Sequence, residues 1–113
     1  MTIREIILKI QNEIGQRDLQ YNEGANCLRE LTSLLGNIND QIRVKDLAYN
    51  KVLLNALDTE GKANRAKIVA EISPEYQEKL EARNTKELVL EMIRGLKYWL
   101  RAKDDEWKES KTQ

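Results

Sequence analysis

The sequence predicts an all-α protein: a bundle of long helices with coiled-coil-like antiparallel packing, completed by oligomerisation. Three observations carry that reading. Apolar side chains recur at alternating three- and four-residue spacing from Ile3 to Ala70. The chain is 41% hydrophobic and 34% charged but only 5% aromatic, with no Phe, a balance that suits amphipathic helices better than a sheet. Breakers are scarce, with five Gly and one Pro and no linker or low-complexity tract. At 113 residues the expectation is a single helical domain, 1–113.

The first helix has a readable start. Thr2 can cap it, and Glu5 three residues later completes a capping box. Ile3, Ile6, Ile7, Ile10 and Ile14 then share one face. The seam continues through Tyr21, Leu28, Leu31, Leu35, Ile38 and Ile42 to Tyr49, Val52, Ala56, Ala63, Ala66 and Ala70, interrupted only at Arg17, Gly24, Lys45 and Thr59. Its late positions are mostly Ala, which permits close approach of backbones. Gly36-Asn37-Ile38-Asn39-Asp40 is the expected turn, because Gly weakens a helix and Asn and Asp offer the backbone local alternatives. Gly15 to Asp18 offers an alternative break inside the first helix, which is otherwise expected to run on to about residue 35.

Ser73-Pro74-Glu75 is a helix start: Ser as cap, Pro at the first helical position, an acid in the first turn. Asn84 with Glu87 offers a further start. In the last helix Leu88, Val89, Met92, Ile93, Leu96, Trp99, Leu100 and Trp107 take one side, and Arg94, Lys97, Tyr98, Arg101 and Lys108 the other. The expected helices are about 2–35, 41–72 and 74–110, with a polar tail over 109–113.

Most chemistries lack their residues. There is no His, so the commonest transition-metal ligand and any Ser–His or Cys–His pair are missing. The single Cys27 forms no internal disulfide, makes no zinc site and reads as a buried structural thiol rather than a nucleophile. Gly61-Lys62 lacks the upstream glycine of a phosphate loop. Asp104, Asp105 and Glu106 are acid–base or Mg²⁺ candidates, against the plainer reading of a solvated run. The expectation is a non-enzymatic protein without metal or cofactor.

Net charge is zero, from 19 basic and 19 acidic residues, so nothing global attracts nucleic acid or membrane. No apolar run approaches a membrane span, and the N-terminal stretch lacks a cleavage pattern, so a cytoplasmic protein without membrane contact is expected. Arg94, Lys97, Tyr98 and Arg101 combine cations with an aromatic and can contact nucleic acid, though Asp105 interrupts the stripe and any amphipathic helix needs outward charges. Trp99 and Trp107 suit a partner anchor or an internal core equally. Lys45 inside the seam is either a register device or the point where the stripe drifts outward.

Glu60-Gly61-Lys62-Ala63, Ser73-Pro74-Glu75-Tyr76, Ile93-Arg94-Gly95-Leu96-Lys97-Tyr98 and Asp105-Glu106-Trp107 together resemble short helical bacteriophage proteins encoded among early genes for DNA recombination and replication. The resemblance covers residues 58–110 and implies a phage or prophage accessory factor in the bacterial cytoplasm, with no catalytic residues to carry over. The functional expectation is an interaction protein that forms a homodimer through Leu28, Leu31, Leu35, Ile38 and Ile42 and binds a protein partner through Trp99 and Trp107. The alternative is a nucleic-acid-binding accessory that uses the basic stripe.

Overall fold

A computed structural model describes residues 2–16 and 18–112, with side chains described as far as Ser110. Arg17, an interruption of the seam, and Gln113, the end of the expected tail, lie outside the described residues. The protein is all-α. Helix α1 spans Ile3–Ile14, α2 Tyr21–Glu60, α3 Ala63–Glu71 and α4 Pro74–Thr112, and no strand occurs among the described residues.

The caps act where expected. Glu5 N–H donates to Thr2 Oγ1 at 3.2 Å at the head of α1, and Tyr76 N–H donates to Ser73 Oγ at 3.3 Å at the head of α4. The expected single helix over 2–35 is corrected: α1 ends at Ile14 and α2 begins at Tyr21, so the alternative break near Gly15 is the one taken.

The expected break at 36–40 does not occur, and α2 continues through Gly36. The reason is the seam. Leu31, Leu34 and Ile38 are all buried, at 0%, 5% and 1% exposure. They share a face only if the helical phase continues. Burying one such side chain is worth about 1.5–3 kcal/mol, more than the roughly 1 kcal/mol that Gly costs in a helix interior.

The break falls instead at Gly61. Its φ of +71° is a left-handed conformation that glycine adopts without a Cβ penalty. Gly61 N–H still donates to Leu57 O at 3.0 Å, and the chain restarts at Lys62, whose extended φ of −126° leads into α3. Helix α4 does not restart at Asn84 and extends past 109 to Thr112, because no Gly or Pro follows Gly95 to stop it.

Residue contacts group the chain into two units, residues 1–36 with 88–113, and residues 37–87, so α2 and α4 contribute to both. In the first, Tyr21 lies against Asp104 and Gly24 against Trp99. The order is antiparallel. The core of this unit includes Ile7, Ile10, Cys27, Leu31, Leu34, Val89, Ile93 and Leu96.

The second unit is also antiparallel. Lys45 Nζ pairs with Glu78 at 3.1 Å, and Arg83 with Asp46 Oδ2 at 2.7 Å. The rings of Tyr49 and Tyr76 lie 5.4 Å apart. Lys79 Nζ sits 4.4 Å from the Tyr49 ring centroid. Ile38, Tyr49, Ala56, Ala66, Ala70 and Ala82 are buried here. Ala63, an expected seam position, is exposed as the first residue of α3, while Ala66 and Ala70 further along the same helix are buried. Lys45 therefore pairs across helices at the rim of the seam, half-buried, with its ammonium held by Glu78.

Candidate functional site

The seam residues expected at an oligomer interface are largely spent inside the chain. Leu31 and Ile38 are 0% and 1% exposed and are packed within the chain itself. Leu28, Leu35 and Ile42 are half-buried along the same line. In each unit α4 lies antiparallel to α2 and packs along the seam.

The two tryptophans part company. Trp99 is half-buried, and its ring lies over Gly24 so closely that a Cβ on that glycine would sit 2.5 Å from a ring carbon. Lys103 Nζ lies 5.8 Å from the Trp99 ring centroid. Trp99 is thus an anchor between helices of its own unit. Trp107, at 61% exposure, keeps most of its surface in solvent.

Two open grooves flank these rings. One, of about 500 Å³, is lined by Ile14, Leu19, Met92, Leu96 and Trp99 with Gln11, Gln16 and Lys103. The other, of about 770 Å³, lies among Leu19, Tyr21, Trp107 and the charged Asp18, Lys103, Asp104 and Glu106. Tyr21 Oη donates to Asp104 Oδ2 at 3.4 Å. The Asp104 carboxylate pushes the Tyr21 phenol above its ordinary pKa. Glu106 meets Lys103 at 3.6 Å. Asp104, Asp105 and Glu106 are all exposed. No three metal-ligating side chains converge among the described residues.

Cys27 is buried, and its Sγ donates to Glu13 Oε2 at 3.2 Å. Burial, then the hydrogen bond to and charge of Glu13, push the thiol up to about 11. It therefore stays protonated at neutral pH, and a protonated thiol is a poor nucleophile.

The basic stripe of α4 lies outside. Arg94, Lys97, Tyr98 and Arg101 are exposed, Tyr98 at 77%. Arg94 is already engaged with Glu91 one turn back.

The surface that sequence reasoning missed is on α2. Val44, Leu47 and Leu54 are 57%, 56% and 62% exposed, and Leu57 joins them at 36%. At about 100° per residue, Leu47 and Leu54 point almost directly away from the buried Ile38, Tyr49 and Ala56. The signal was present as a second apolar repeat beside the seam, masked by the stronger one. On α3, Ile68 is exposed opposite Ala66 and Ala70, with Val69 and the C-capping Ile72 exposed beside it.

No helix among the described residues is long and apolar enough to cross a membrane. No protein-family model, curated protein or solved structure matches this chain.

Proposed function

We propose that this chain is a non-enzymatic helical interaction protein that self-associates and binds a protein partner, acting as a phage or prophage accessory factor in the host cytoplasm. The observation that carries the reading is the outer face of α2. A surface helix normally keeps one face apolar; here Val44, Leu47, Leu54 and Leu57 remain uncovered opposite a face that is already packed. Apolar side chains left in water favour association that covers them. Zero net charge offers little repulsion against it. Trp107 is the exposed aromatic anchor for a different partner. Light scattering tests the self-association: a mass near twice 13.2 kDa is expected at micromolar concentration, and 13.2 kDa at every concentration overturns it.

A nucleic-acid-binding accessory is the second reading, favoured by the exposure of Tyr98 among Lys97 and Arg101. Its test is fluorescence anisotropy with labelled single-stranded and duplex DNA. Binding that falls steeply with salt and is lost in Arg94→Ala plus Arg101→Ala supports it, and no binding at low salt removes it.

A further inference from the structure

We infer that the outer face of α2 is the contact surface for a second copy of this chain, laid antiparallel about a twofold axis that passes between Asn50 and Lys51. This deepens the self-association proposed above and rests on it.

The outer face of α2 is a palindrome in side-chain chemistry. Reversing α2 about that midpoint brings Leu47 opposite Leu54, Val44 opposite Leu57, Arg43 opposite Asp58 and Asn50 opposite Lys51. The four apolar members are the exposed ones named above. All eight residues belong to the unit formed by residues 37–87 and to one unbroken helix. A twofold interface must be complementary to itself, residue i meeting j while j meets i. This stripe meets that condition for shape class and for charge.

Charge decides the direction. In a parallel pair in register, Arg43 would lie beside Arg43 of the second copy, Lys51 beside Lys51 and Asp58 beside Asp58, three like-charge contacts. In the antiparallel pair Arg43 meets Asp58 twice by symmetry, and Lys51 meets the neutral Asn50. Asp40 falls opposite Gly61, where no side chain opposes it. The ion pair that Arg43 makes within its own chain, to Asp40 at 3.4 Å, is solvent-exposed at both ends, and such a pair adds little that would resist a new partner.

Three variants measured by sedimentation and light scattering across a dilution series test the inference. Leu47→Glu with Leu54→Glu is expected to give a monomer with an unchanged helical circular dichroism spectrum, since neither side chain serves the core. Arg43→Asp alone is expected to weaken the dimer about tenfold or more. Adding Asp58→Arg to it restores the charge pairs in reversed order and is expected to return affinity to within a few-fold of the parent. This rescue also decides the matter if the leucine variant fails to fold. A dimer indifferent to the leucine substitutions, or a charge reversal that the second substitution does not rescue, overturns this surface while leaving self-association standing. A parent protein that is monomeric throughout the series overturns both.

Discussion

Individual side chains show how tightly the first unit is specified. Gly24 is buried beneath Trp99, and the space for its missing Cβ is filled by the indole. Gly24→Ala gains about 1 kcal/mol of helix propensity but forces the ring away, an overpacking cost of about 1–3 kcal/mol. A net loss of stability in urea unfolding is expected, with a red-shifted tryptophan emission as the ring moves into solvent. The loss should disappear in a Trp99→Ala background, because only the pair carries the clash. Cys27 makes a pH prediction. Its thiol is raised from 9.0 to about 11 in the folded chain. Below pH 9 both folded and unfolded forms hold the proton, so stability is unaffected. Between pH 9 and 11 the unfolded thiol ionises while the folded one does not, and stability falls. Unfolding midpoints measured across that window should decline less steeply in Cys27→Ala. At pH 7.5 the thiol should label with a disulfide reagent only as fast as the protein opens.

Helices in this chain start where their chemistry says and stop where a backbone conformation requires. Two glycines in α2 and just after it give opposite expectations. Gly36 sits in mid-helix with nothing near its absent Cβ, so Gly36→Ala should stabilise by about 0.5–1 kcal/mol. Gly61 also has open space around it, but its φ of +71° is the left-handed region. Gly61→Ala should therefore destabilise by about 1 kcal/mol. Thermal unfolding of the two single variants checks both signs, and equal signs would contradict the assignment of the helix end. Ser73→Ala should cost about 1 kcal/mol through loss of the cap on Tyr76 N–H.

Considered as one chain, the protein satisfies its main apolar seam internally and leaves a weaker apolar stripe outside. Association through that stripe should persist in moderate salt, because its apolar contacts are Val44, Leu47, Leu54 and Leu57 and its opposite-charge pairs lie at the ends. Any binding of nucleic acid through Arg94, Lys97, Tyr98 and Arg101 should instead fade steeply with salt. Measuring the light-scattering mass and DNA anisotropy at low and high salt separates the two surfaces. Persistence of the dimer with loss of DNA binding is the expected pattern if both operate.

Local chemistry was legible from residue order alone. Thr2 and Ser73 announce their helix starts, Gly15 marks a real break, and the spacing of Ile7, Ile10, Leu31, Ile38 and Val89 picks out side chains that are buried. These follow from short-range rules: caps need a side-chain oxygen within one turn, and amphipathic faces need a 3.6-residue period. What residue order left open was which other helix covers each face. Leu31 and Ile38 carry the same periodic signal whether they pack within a chain or between two, since periodicity reports that burial is needed and not by what. Antiparallel pairing of α2 with α4 in each unit turned the seam inward, carried α2 across Gly36, and left Val44, Leu47, Leu54 and Leu57 as the uncovered face. Long-range packing energies of several kcal/mol per face outweigh a glycine's local preference, and no single position in the sequence records that balance.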